Sequence, residues 1–152
     1  MKRDPNPALQ DSAVRLHIYR HFIETGRAPK IAGTAGALST TEAEARSAYQ
    51  RLAEAHALVL QANGEILRAA PFWAVPTRFW VEDGKRSWWG SCVWDALGIP
   101  AMLKQDARIL TGCGCCDAAM ELEVRRGTVA PAGGVIHFAV PARRWYDNVA
   151  FT

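Results

Sequence analysis

Ala57-Leu58-Val59-Leu60, Asn63-Gly64 and Glu65-Ile66-Leu67-Arg68 mark the point where this chain changes character. Two short apolar runs flank an Asn-Gly pair, a strong short-range hairpin signal. Before this hairpin the sequence reads as Ala-rich helices. After it come aromatic and β-branched runs broken by Gly and Pro.

Working upstream, Ser39-Thr40-Thr41-Glu42 has the pattern of a capping box, with Ser39 as cap and Glu42 reaching back. The helix it opens runs to about His56, with Ala45, Ala48, Tyr49 and Leu52 inward. Ile31 to Ala37 reads as a short helix. Ala8 to Thr25 reads as an amphipathic one, with Leu9, Ala13, Leu16, Tyr19 or Arg20, and Ile23 on one face. Pro7 and Gly26 fit its two ends. Three helices and a hairpin make a winged-helix-like region over residues 1–70. Glu42, Glu44 and Glu54 on the third helix would repel phosphates, so a helical cap is favoured over a nucleic-acid reader.

Downstream, residues 71–152 read as a small α+β domain with a mixed sheet. A strand carries Trp80, a turn follows at Glu82-Asp83-Gly84-Lys85, and a helix begins within Ser87 to Leu97, interrupted by Gly98 and Pro100. Ala107 to Leu110, Met120 to Arg125 and Val135 to Val140 read as strands. His137 then belongs to an apolar strand as a core residue. His17 and His21, one turn apart on the first helix, lack a third ligand.

Composition narrows the function classes. The 152 residues are 49% hydrophobic and 22% charged, which suits a globular chain with a real core. The net charge of +3 is spread evenly along the sequence, unlike a protein made chiefly for nucleic acid. No apolar run reaches the ~20 residues of a membrane span. The segment Met1 to Pro7 has no apolar stretch behind it, so no ordinary signal peptide is expected. Cys92, Cys113, Cys115 and Cys116 are then expected to be reduced thiols of a cytoplasmic protein.

Two groups of residues carry chemistry. Cys92-Val93-Trp94-Asp95 places a thiol and a carboxyl one helical turn apart, with Trp80, Trp88 and Trp89 nearby. A helix N-terminus favours the thiolate, a soft nucleophile and metal ligand. A carboxyl among apolar groups can stay protonated and donate that proton. The same residues also fit a buried thiol and a helix-capping carboxylate. In the second group, Cys113 and Cys116 have Cys-x-x-Cys spacing with Cys115 between them. A structural zinc site needs further ligands that the sequence does not pair with them. Three clustered thiols would nevertheless capture Hg(II) or Cu(I).

The stretches Ala70 to Thr77 and Trp89-Gly90-Ser91-Cys92-Val93-Trp94-Asp95-Ala96-Leu97-Gly98-Ile99-Pro100-Ala101-Met102-Leu103 resemble the organomercurial (alkylmercury) lyase family. The likeness continues through Ile109 and the Cys113 segment to Val124, and the helical front is similar too. The resemblance implies cleavage of a carbon–mercury bond, with Cys92 as nucleophile and mercury ligand and Asp95 as proton donor. It implies a pocket walled by Trp73, Trp89 and Trp94, no required cofactor, Hg(II) as bound product, and external thiols for its release. The partner would be a small organometallic ligand. The family's second catalytic cysteine follows a stretch like Asp147 to Thr152, and so falls after the last residue of this sequence. Cys113 matches a position regarded as structural in the family. Cys115 and Cys116 are extra thiols, able to serve as the second mercury ligand if their loop folds toward Cys92. With them, the metal-ligating candidates are Cys92, Asp95, Cys113, Cys115 and Cys116. A missing edge strand would favour a homodimer. Two alternatives stand beside the lyase: a non-catalytic soft-metal thiol protein, and a winged-helix regulator sensing metal.

Overall fold

The computed structural model describes residues 7–131 and 133–147, with side chains from residue 10 onward. Leu9, Ala132 of the Pro131 to Gly134 loop, and the stretch from Asn148 to Thr152 therefore lie outside the described residues or side chains. Two compact units divide at Ala74 and Val75.

The first unit contains α1 (Pro7–Thr25), α2 (Ile31–Ala37) and α3 (Glu42–Glu54), then the antiparallel meander β1 (Val59–Leu60), β2 (Ile66–Ala69) and β3 (Phe72–Trp73). The inner face of α3 is Ala45, Ala48, Tyr49 and Leu52, as its spacing predicts. On α1 the expected face is wrong: Val14, Ile18 and Phe22 are buried, while Leu16 is 50% exposed. This helix has apolar residues on more than one side, so spacing alone could not choose. Packing chose, with Phe22 stacked on Phe72 at 5.2 Å between ring centroids.

The capping box is also displaced from its predicted place. Ser39 has φ of 52°, a left-handed conformation unlike the extended backbone of an N-cap. Thr41 caps instead: its hydroxyl accepts from the Glu44 amide at 3.2 Å, and its own amide donates to Glu44 Oε2 at 2.9 Å. Hydrogen bonds from the Thr40 hydroxyl, then from the Thr41 amide and hydroxyl, pull the Glu44 carboxyl down to about 2. A carboxyl lowered by folding stabilises the protein above its ordinary range, and that contribution fades as pH falls toward the folded value. Glu44→Gln should therefore lower Tm near neutral pH. The gap to the parent protein should narrow between about pH 4.5 and about pH 2, as thermal melts would show.

Both arginines of α3 are engaged within this unit. Arg51 forms a bidentate ion pair with Asp11 of α1, with Nη2 to Oδ1 at 2.6 Å, and Arg46 donates to the Asn63 carbonyl at 3.2 Å.

The second unit is a sheet in the order β5-β4-β6-β7-β8, formed by β4 (Phe79–Glu82), β5 (Ser87–Gly90), β6 (Ala107–Gly112), β7 (Ala119–Arg125) and β8 (Thr128–Ala130). Its described pairings are all antiparallel, where a mixed sheet was expected. The helix α4 (Val93–Leu103) packs on β4, β5 and β6. The core row Trp88, Val81 and Ile109 runs across three paired strands, and Ala96 and Ile99 of α4 are buried with it.

Three sequence expectations fail here. First, α4 continues through Gly98 and Pro100. A proline in the interior removes one helical hydrogen bond, but Ile99 and Pro100 are buried, and packing outweighs the local cost. The helix stops only at left-handed Lys104. Second, Val135 to Val140 forms no strand. The short β8 pairs with β7 instead, through the turn Arg126-Gly127, whose φ values of 48° and 77° suit a tight hairpin. Val135 is left 93% exposed, without the burial that makes an apolar run pay as a strand. Third, His137 is consequently an exposed residue of an irregular segment, not a core residue.

No helix among the described residues is long and apolar enough to cross a membrane.

Candidate functional site

The site begins where β5 turns into α4. Gly90 ends the strand, Ser91 follows, and Cys92 is the N-cap of the helix, with extended backbone at φ −147° and ψ 180°. The Cys92 carbonyl accepts the Ala96 amide at 2.9 Å, while its thiol makes no capping hydrogen bond and is half-buried. Cys92 thus stands at the first turn of α4.

Asp95 lies in that same turn and is 2% exposed. Its Oδ2 accepts from the Ser91 hydroxyl at 2.5 Å and from the Ser91 amide at 3.3 Å. Spacing alone did not single out Ser91, the residue that bonds Asp95. The available signal was a hydroxyl four residues before a carboxyl, across a helix start.

The corner is tightly built. Thr77 donates its hydroxyl to the Gly90 carbonyl at 2.6 Å. A Cβ on Gly90 would lie 2.9 Å from the Ala96 nitrogen and 3.2 Å from its Cα. Those are backbone atoms and cannot swing aside. Gly90→Ala should therefore cost about 1–3 kcal/mol, read as a lower urea midpoint, through overpacking against α4.

The aromatic residues separate into different roles. Trp88 is core, and Trp89 meets Trp80 edge-to-face at 4.5 Å. Trp94 is 62% exposed. Trp73 is a buried residue of β3 in the first unit, paired with Arg68.

The second thiol group occupies the β6–β7 connection. This loop is closed by hydrogen bonds from the Cys113 amide to the Ala118 carbonyl at 2.8 Å and from the Asp117 amide to the Cys113 carbonyl at 3.0 Å. The sulfurs of Cys113, Cys115 and Cys116 lie within 4.8 Å of one another. Among the described residues, Cys92 and Asp95 belong to no such group, so the five predicted metal ligands divide into two sets. Backbone amides of Cys115 and Cys116, with their thiols, hydrogen-bond to the Cys113 sulfur and pull its thiol down to about 7. Proximity to Cys113 pushes the Cys115 thiol up.

A cleft of about 700 Å³ lies between α4 and the Cys113 loop. Val93 and Leu97 of α4 line it together with Phe79, Cys113, Cys115 and His137. The loop thus shares a cavity with the residue that follows Cys92.

The alkylmercury lyase profile matches residues 72–152, which contain both thiol groups. The chain belongs to the alkylmercury lyase family. A solved structure described as the mercury-bound form of MerB2 has the same fold, with a TM-score of 0.64 and 21% sequence identity. That likeness covers 80% of this chain and 58% of the MerB2 chain, so the sequence spans under two-thirds of that relative's length. No curated protein matches it by sequence. The alkylmercury lyase match therefore covers the strand-to-helix corner that carries Cys92 and Asp95, and supports an organomercurial-lyase-like protein.

Proposed function

We propose that this chain cleaves carbon–mercury bonds by protonolysis, with Cys92 as nucleophile and Asp95 as proton donor. The observation that carries this reading is the pairing of an N-cap thiol with a buried carboxyl in the same helical turn, inside the lyase-matched segment. Cys92 displaces the weaker ligand of an organomercurial and forms a sulfur–mercury bond. A thiolate from the small thiol in solution joins the metal as its second sulfur ligand and pushes electron density toward carbon. The carbon–mercury electron pair then takes the Asp95 proton, and a hydrocarbon leaves. Mercury stays as a Hg(II) thiolate until external thiols, abundant in a reducing cytoplasm, remove it. Asp95 regains a proton from water.

No cofactor enters these steps. Ser91 positions the Asp95 carboxyl through the two hydrogen bonds to Oδ2. The apolar wall of Val93, Leu97 and Phe79 suits the organic group.

The test is single-turnover cleavage of a phenylmercury compound in excess small thiol. Benzene approaching one equivalent per protein is expected. Benzene no higher than in a thiol-only control would overturn the reading.

A further inference from the structure

We propose that Cys113, Cys115 and Cys116 form a soft-metal site of their own, a three-thiolate seat for a thiophilic ion such as Hg(II), independent of Cys92 and of carbon–mercury cleavage.

The geometry comes first. Metal–sulfur bonds of about 2.3 Å around a trigonal ion put the sulfurs about 4 Å apart. The three sulfurs already lie within 4.8 Å of one another, close to that spacing. The loop that presents them is closed by two backbone hydrogen bonds between paired strands.

The donor chemistry selects the ion. Sulfur alone makes up this group, and soft ions prefer thiolates to oxygen or imidazole. A structural zinc ion needs a fourth ligand, whereas Hg(II) and Cu(I) are satisfied by fewer. Access is open, because Cys115 and Cys116 are exposed and Cys113 and Cys115 line the cleft. Binding replaces three S–H bonds with three S–Hg bonds and releases three protons to solvent. The resulting complex carries one net negative charge. Arg78 is tied to the same loop by its ion pair with Asp117.

The test removes the lyase thiol first. Reduced Cys92→Ser protein is loaded with Hg(II), washed with a monothiol, and examined for retained mercury and for sulfur coordination by X-ray absorption. One ion per chain with three sulfur neighbours is expected. Adding Cys115→Ser or Cys116→Ser should lower the sulfur count to two and lose mercury to the wash. Both side chains are exposed, so an unchanged circular dichroism spectrum should accompany each change. Two sulfurs in the parent loop, or retention unaffected by the double Ser variant, would overturn the site. Benzene release plays no part in this readout, so either proposal can fail alone.

Discussion

Cys92→Ser should abolish benzene release from phenylmercury, by roughly a thousandfold or more in the single-turnover rate, the scale of losing a nucleophile. A serine hydroxyl is a hard donor and does not hold mercury. Asp95→Ala should slow the same step by about a hundredfold to ten-thousandfold, the range for a positioned general acid. The two variants should differ in what they retain. Asp95→Ala keeps the N-cap thiol and should still hold the organomercurial uncleaved. Cys92→Ser should not hold it at this corner. Asp95 is buried and bonded to Ser91, so a folding defect could imitate a catalytic one. Asp95→Asn keeps the shape and an acceptor oxygen for Ser91, and should fold while losing cleavage. Cleavage at the parent rate by Asp95→Asn would remove Asp95 from the role of proton donor.

Trp88→Ala should have the largest effect on stability. The side chain is 1% exposed and sits opposite Val81 in the core row, with the Arg86 guanidinium 5.3 Å from its ring. Truncating a buried Trp costs about 3–5 kcal/mol in lost transfer and a residual cavity. For a chain of this size that lowers Tm by on the order of 10 °C. Trp94→Ala, six positions along, should change stability by only about 0.5 kcal/mol, because that ring is 62% exposed. Urea melts of the two variants would show the contrast. Equal losses would mean that Trp94 is covered in solution.

That contrast shows why the site was only partly readable from sequence. A cluster of tryptophans near a cysteine is visible in the letters. Which of them is core, which meets Trp80 edge-to-face and which meets solvent depends on strand alternation and on α4 covering one face. Asp95 was readable as a candidate from its spacing to Cys92. Its burial was not, nor was the Ser91 hydroxyl that bonds it, because both follow from the way β5 turns into α4. The three loop sulfurs were adjacent in sequence, yet their closeness in space needed the β6–β7 hairpin to close around them.

Signals contained in a few neighbouring residues were enough for the hairpin around Asn63-Gly64, the inner face of α3, the thiol–carboxyl pair and the Cys-x-x-Cys segment. Each is short-range chemistry: a turn preference, a helical period, a spacing. Tertiary structure decided the buried face of α1, the continuation of α4 through Pro100, and the exposed course of Val135 to His137. In each of these, distant neighbours outweigh local preference. Phe72 stacks on Phe22 from fifty residues away, burial of Ile99 and Pro100 offsets a missing hydrogen bond, and β8 pairs with β7 while Val135 to His137 stay exposed.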